Sequence, residues 1–561
     1  MTSETLVEWR EWGAAAFDEA RAKSTPILLS LTASWCRPCA EMDAETYADP
    51  RIAAVVGDAF VPVRVDVDER PRVRDRYNTG SFPSTVVLTP DGSVIAGAGY
   101  LDPDGMRQVL DRVRDRWDAD GPDAGRVPRA LATDEPPAGT LDRSIVSQVS
   151  GALEATYDER AGGWGDGPKF PYPDALEFAL KRDRTMARRN LEAVATNLLD
   201  DYDGGFYRFA TGRDWSGLQR EKLLDENAAL VRAFANAYLY TGDESYRSIA
   251  ERGIEYLTTT LWIGESGDSA GPTSESTPET ASGAFAASQA PGDETVHVGD
   301  PTERELADDP SIDGRVYSGK NALAIDALLT YAAYTDDDRA IRFAQRALRT
   351  VRSDGLDDGV VAHVVGDRAA ASPSCLLVDQ TRVLRGLVRA HSVLGSDTVD
   401  DARAVADATI ERLHDGDSFV DGPLDGHGLL SRPLRPISIT AEFASSLLDL
   451  SLITGEDEYR DAGRGALESF AGASDRLGVG AAAYGTAVAR YVDDPLVIRV
   501  GTDPGSDLHR AAMRLADHEK VVVPNASAVD DGTAVVGRGP ATADPAADPA
   551  SLSARVESLL E

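Results

Sequence analysis

The sequence predicts an α/β domain, then an all-α (α/α)6 toroid, then a small C-terminal α/β extension. Three observations carry this. Residues 1–117 run strand, CxxC, helix, strand, hairpin, helix, an order that lays helices on the faces of a sheet. From 141 to 494 apolar residues recur at helical spacing in paired stretches joined by similar turns. Beyond 495, two apolar runs, Leu496–Val500 and Val521–Val523, flank a helical pattern at 507–517, as in a small βαβ unit.

In the first domain, residues 5–24 read as an amphipathic helix, with Trp9, Trp12 and Phe17 near helical spacing. Pro26–Thr32 is a short apolar strand. Trp35-Cys36-Arg37-Pro38-Cys39 follows it and opens a helix that runs through Met42. Phe60–Val67 alternates with period two through Val61, Val63, Val65 and Val67. Thr85–Thr89 closes on the turn Pro90-Asp91-Gly92, and Val94–Ala98 returns as its hairpin partner. Residues 103–117 form a last amphipathic helix, and 118–140, rich in Pro, Gly and Asp, read as a linker.

The toroid rests on a repeated turn. Tyr240-Thr241-Gly242-Asp243 and Ile453-Thr454-Gly455-Glu456 each follow one apolar helical stretch and precede an Ala-rich one, with acidic residues where the second helix begins. Tyr334–Asp338 and Leu394–Thr398 are degenerate copies. Helices are predicted at 141–156, 174–181, 184–200, 222–240, 245–260, 320–334, 338–351, 378–394, 399–413, 438–454, 457–471 and 480–491. Six hairpins of this kind close into a toroid, and an open solenoid is the alternative. Residues 264–309, poor in bulky apolar groups, read as a mobile low-complexity insertion, and the chain from about 540 reads as disordered.

Charge narrows the function classes. The chain has 94 acidic and 57 basic residues, a net charge of −37 spread along its length, and only six lysines. No basic stripe offers a phosphate footprint, so nucleic acid is excluded as a partner. A global acid excess fits a surface solvated at high salt, the halophilic reading; an acidic surface for a basic partner is the alternative. Circular dichroism during dialysis from molar to low salt is expected to show loss of structure, and an unchanged thermal midpoint would count against the halophilic reading. No apolar run reaches membrane-span length and the start has no basic-then-apolar leader pattern, so the expectation is a cytoplasmic protein with no membrane partner.

Of three cysteines, two form the CxxC and Cys375 stands apart, which is neither a secreted disulfide framework nor a zinc ligand set. No metal or cofactor is implied. A thiol at a helix N-terminus has a lowered pKa, which makes Cys36 the attacking thiolate and Cys39 the resolving one. The partners this implies are a client disulfide and a reductant of the thioredoxin-reductase type. Two inert cysteines are the alternative.

The motif Trp35-Cys36-Arg37-Pro38-Cys39, together with Ser81-Phe82-Pro83 just before a strand and the strand order, resembles thioredoxin over residues 5–117. The resemblance implies that Pro83 lies in the cis form against the disulfide. One departure is Ser30, where thioredoxins carry a buried aspartate that moves the resolving proton.

A second resemblance runs over nearly the whole chain. Gly162-Gly163-Trp164 through Lys169-Phe170-Pro171, Asp203–Arg208, Glu221-Lys222 with Asp225 and Asn227, Asn321 after Tyr317-Ser318, and Val67–Pro71 are similar to the motif series of the spermatogenesis-associated thioredoxin-like family, also called the domain of unknown function 255 family. That family implies a thioredoxin-like domain joined to a six-hairpin, glycosidase-like toroid. On this resemblance the toroid's candidate site comprises Lys169, Tyr207, Glu221, Lys222, Asp225, Asn227 and Asn321, with a small sugar-like ligand. Tyr207 replaces the family's usual histidine, and Leu218–Arg220 replace a Pro-His-Phe, which removes bases that sugar epimerisation needs.

Asp203, Glu221, Asp225 and Asp379 remain as carboxylates for a hydrolase, or as caps and surface acids. Trp164, Phe170, Phe206 and Trp215 either line a sugar-binding mouth or pack the hairpin ends. Three functions follow: a thiol–disulfide protein whose toroid presents a client or ligand, a carbohydrate-active enzyme with a thioredoxin-like appendage, or a non-catalytic scaffold.

Overall fold

The structure, a computed structural model, describes residues 5–131, 136–264, 283–299, 301–366, 373–416 and 418–560. It divides into two units. Residues up to 135, with 290–313 and 420–434, form the first; 136–289, 314–419 and 435–561 form the second.

The first unit is a four-stranded sheet in the order β2-β1-β3-β4, built from β1 (Ile27–Thr32), β2 (Val61–Asp66), β3 (Ser84–Leu88) and β4 (Val94–Ala98). β1 runs parallel to β2 with Ile27 opposite Val61, and antiparallel to β3 with Ile27 opposite Leu88. Ile27–Leu31 is buried at every position because β1 is central and covered on both faces, which is why it reads as an apolar run interrupted only by Ser30.

The first helix, α1 (Ala14–Lys23), is shorter than predicted. Residues 5–13 are not helical: Arg10 pairs in parallel beside Val63, and Trp9 packs edge-on against Tyr47 with the Arg64 guanidinium 4.4 Å from its ring centre. The aromatic spacing that suggested a helix face serves sheet packing instead. α2 (Arg37–Glu45) follows the dithiol motif. Two helices escaped sequence reading, α3 (Pro50–Ala59) and α4 (Pro71–Tyr77); both carry proline in the first turn, where a missing N–H costs nothing. α5 (Pro103–Asp120) outruns its predicted end, Ala124 is buried, and Arg126 pairs with Val94, so the stretch after 117 still belongs to the sheet.

Segment 420–434 completes this unit. Asp421 accepts a two-pronged ion pair from Arg76, whose side chain is wholly buried, and a further bond from Arg72 at 3.1 Å. Gly428 has φ +60°, and a Cβ there would sit 2.7 Å from the Tyr77 hydroxyl, so only glycine lets this segment seat.

In the second unit all twelve predicted helices are present among the described residues: α6 (Arg143–Thr156), α7 (Pro173–Arg182), α8 (Arg184–Leu198), α9 (Leu224–Thr241), α10 (Glu244–Thr259), α11 (Ser318–Thr335), α12 (Asp338–Asp354), α13 (Leu377–Leu394), α14 (Val399–Leu413), α15 (Ile437–Thr454), α16 (Asp457–Glu468) and α17 (Ala482–Asp493). Two of the four repeated turns supply caps, Asp243 and Asp337, which accept first-turn N–H groups as Asp142 and Asp183 do elsewhere; Glu456 and Thr398 make no such bond.

α7, α9, α11, α13, α15 and α17 pack in sequence as an inner ring, and α17 returns onto α6 and α7. That closure makes a toroid and not a solenoid. α11 is buried from Ser318 to Tyr334, mostly apolar or small residues, with Lys320, Asn321 and Asp326 as polar groups held inside the ring. α15, contrary to the reading of the sequence, has the length and apolar composition of a membrane span; half of it is buried inside the ring.

The insertion needs correcting. Ala284–Ser288 is buried, with Phe285 fully enclosed, and Ser288-Gln289 pairs with Lys222-Leu223. Residues 265–282 and 300 lie outside the described residues. The tail needs correcting too. It forms a sheet β6-β5-β7-β8 from β5 (Leu496–Val500), β6 (Val521–Val523), β7 (Ala534–Arg538) and β8 (Ala541–Thr542), with α18 (Asp507–Met513) and a final α19 (Pro549–Leu560). Far from disordered, α19 buries Leu552 and Val556, one helical turn apart, and packs on β7 and α18. β5 is parallel to β6 and antiparallel to β7, and β7 is antiparallel to β8, the plan of the N-terminal sheet repeated.

Candidate functional site

The dithiol sits where β1 hands over to α2. Cys36 is the N-cap of α2: its backbone is extended, and its sulfur accepts the Cys39 N–H at 3.2 Å. Cys36 and Cys39 are joined in a disulfide with Cα atoms 5.3 Å apart. Trp35 is buried, and its indole N–H donates to Asp68 at 2.8 Å. The Phe82–Pro83 bond is cis, Pro83 is buried, and the Phe82 ring meets Trp35 edge-on. Ser34 donates to Asp313 at 2.7 Å.

Ser30 is buried in β1 between Arg64 and Thr85 of its neighbours. The buried carboxylate that anchors the Trp35 ring is Asp68, two residues past β2. Asp68 lies in the Val67–Pro71 stretch, and the sequence signal for its role is its place between a strand end and a proline-started helix.

In the toroid most of the predicted site residues hold loops. Lys169 is fully buried, its ammonium 3.0 Å from Asp158 and 2.6 Å from the Gly165 carbonyl. Arg213 shares the same carboxylate, and the two cations hold Asp158 far below the usual aspartate range, Arg213 contributing most. Lys222 repeats the device with Asp200 and the Gly204 carbonyl, both at 2.8 Å, between the rings of Tyr207 and Tyr256. Burial lowers its pKa.

Asn227 and Asn321 stand at the fourth position of α9 and α11. Asn227 accepts the Phe206 N–H and donates to the Phe206 and Leu223 carbonyls. Asn321 does the same with Phe285 and Tyr317. Gln380 occupies the equivalent place in α13, accepting from Val361 and donating to Gly359. Each amide bolts an extended loop to an inner helix.

The chemistry-bearing groups gather at the N-terminal ends of inner helices. Asp225 of α9 lies 3.7 Å from Lys320 of α11 and 3.9 Å from Arg382 of α13. Glu221 meets Arg208 at 3.3 Å, and burial raises its pKa. Its neighbour Glu226 lies 3.5 Å from the same Arg208, and burial pushes its pKa up to about 8. Asp379 accepts from Gly319 and pairs with His363 at 2.7 Å, both nearly enclosed, with the Tyr317 ring against the imidazole. Asp203 is exposed. Sequence reasoning missed His363, which no motif flanks, and Glu226, which hid beside Asp225 in a chain full of acids. Trp164 and Phe206 are enclosed, and Trp215 bonds the Ala161 carbonyl, which leaves these rings packing the hairpin ends.

Comparison with known proteins follows this division. Residues 1–132 match the family model described as protein of unknown function, DUF255. The N-terminal domain is thus similar to that family. Human spermatogenesis-associated protein 20 is 32% identical over 296 residues, covering 46% of this chain and 37% of the human protein, so the matched region spans little more than a third of that relative. Thioredoxin 1 of Synechococcus elongatus is 29% identical over 94 residues, 17% of this chain and 85% of its own. Among solved structures, a sugar epimerase from a ruminal bacterium aligns with 58% of this chain and 85% of its own at 12% identity and a TM-score of 0.45.

Proposed function

We propose that the first unit carries out thiol–disulfide exchange through Cys36 and Cys39. The supporting observation is the placement of Cys36 at the start of α2, its sulfur accepting the Cys39 N–H and bonded to the second sulfur. Once a reductant of the thioredoxin-reductase type has opened that bond with two electrons, the Cys36 thiolate attacks one sulfur of a client disulfide. The other client sulfur leaves as a thiolate and takes up a proton. Cys39 then loses its proton and attacks the Cys36 sulfur, which restores the Cys36–Cys39 bond and frees the second client thiol. A cytoplasmic setting supplies such a reductant and is part of the proposal.

A redox titration read by mass spectrometry tests it. The Cys36–Cys39 bond is expected to open and close reversibly, Cys39→Ser to accumulate mixed disulfides through Cys36, and Cys36→Ser to form none. A pair that stays oxidised, or stays reduced, at every potential would refute the exchange reaction.

A second role proposed for the toroid is binding of a small sugar-like ligand beside Asp225, Lys320 and Arg382, with the enclosed His363–Asp379 pair behind them. Donors and acceptors from three inner helices converge there, the arrangement that a polyhydroxyl ligand uses. Calorimetric titration with mannose and cellobiose is expected to show saturable binding that Asp225→Asn weakens; absence of binding leaves the toroid a scaffold.

A further inference from the structure

The inner ring also surrounds a cavity of about 130 Å³, room for about four waters. His518–Val522, leading into β6, make one of its walls. The charges lining it fall into two kinds. Arg232 makes two 2.7 Å bonds to Glu177 and one of 2.9 Å to Asp326. Arg385 and Arg389 each reach Asp326 at 2.8 Å, and Arg490 pairs with Asp449. Lys520 donates to the Leu515 and Asp517 carbonyls. The four arginines on the wall are thus each paired with a carboxylate, and the Lys520 ammonium is held by carbonyls.

Asp174, in the first turn of α7, and Glu442, in the second turn of α15, are different. Among the described residues Asp174 has no hydrogen-bond or ion-pair partner, and Glu442 has only Arg385, at 3.9 Å. Ser392 lines the same cavity, is 6% exposed, and its hydroxyl likewise has no partner among the described residues. Burial and then the nearby Glu442 charge push Asp174 up to about 7, and burial raises Glu442 as well. Arg232 and Arg382 act in the opposite sense on both groups, but burial outweighs them, so two carboxyls without a close ion-pair partner face one small cavity.

We propose that this cavity binds a small hydroxylated primary ammonium, its N–H groups donating to Asp174 and Glu442 and its hydroxyl meeting Ser392. An ammonium supplies three donors and the charge that relieves the two carboxylates. A metal ion would need a third ligand, and no cluster of three metal-ligating side chains occurs among the described residues. The site is separate from the dithiol and does not depend on its activity.

Titration calorimetry of the full chain with 2-aminoethanol at neutral pH and fixed ionic strength tests the site. Tetramethylammonium, acetate and mannose serve as comparison ligands. Saturable binding is expected for 2-aminoethanol alone. Asp174→Asn and Glu442→Gln should each weaken it about tenfold, the loss of one charged hydrogen bond. Both variants should keep or raise the thermal midpoint without ligand, because a buried acid has been replaced by a neutral amide. Ser392→Ala, a milder change, should weaken binding about threefold. Absence of saturable binding overturns the proposal. So does equal binding of tetramethylammonium, preference for acetate or mannose, or affinity unchanged in the double variant Asp174→Asn with Glu442→Gln.

Discussion

Asp421→Ala is expected to destabilise the first unit by about 3–5 kcal/mol, because it strands a guanidinium that has no route to water. The Arg76 side chain is wholly buried and its two terminal nitrogens both reach Asp421; only backbone carbonyls at Leu429, Arg432 and Arg72 would remain. Nothing nearby could replace the lost charge, since the other cation at that carboxylate is Arg72. A loss of this size is a large fraction of a domain's stability. Hydrogen exchange at the amides of β1–β3 reads the first unit directly, and protection should fall by orders of magnitude. Protection equal to that of the parent chain would mean that the carbonyls alone hold Arg76.

The second large effect lies at the other end of the chain. Glu519 is buried against Arg182 at 2.7 Å and Lys181 at 3.0 Å. Burial by itself would raise its pKa, but the two charges from the last turn of α7 outweigh that and hold it at about 2. The folded value lies below the unfolded one, so the unfolded chain binds more protons and stability rises with pH. The contribution, about 3 kcal/mol, is complete above the ordinary glutamate value near 4.3 and is lost as pH falls towards 2. Thermal unfolding between pH 6 and 2.5 should show the midpoint falling less steeply for Glu519→Gln than for the parent. Superimposable profiles would assign the acid sensitivity to other carboxylates.

What could be read from the sequence followed the strength of the local signal. β1–β4 and the twelve toroid helices were legible because their periodicities are long, and four of the helices, α6, α8, α10 and α12, also start on an aspartate cap. The errors arose where few residues carry the pattern. Residues 5–13 present tryptophans at helical spacing that the sheet uses, and Phe285 is one aromatic in a polar stretch that an asparagine 36 positions later ties down. In the site, Cys36 and Cys39 announced themselves by spacing alone. Asp174, Glu442 and His363 did not, since an acid or a lone histidine in so acidic a chain looks like surface until the ring closes around it.

The shared plan of the two sheets bears on how Cys36 can be altered. In the C-terminal sheet the helix after the first strand is capped by Ser506, whose hydroxyl accepts the His509 N–H at 3.2 Å, the distance at which the Cys36 sulfur accepts the Cys39 N–H. The chain has thus already carried out, within itself, the exchange of sulfur for oxygen at this position, and the helix still starts. Holding the helix and carrying electrons are separate duties of the same atom, and only the second requires sulfur. A serine at position 36 can therefore be read as a clean loss of reactivity, without the loss of backbone order that would confuse its interpretation.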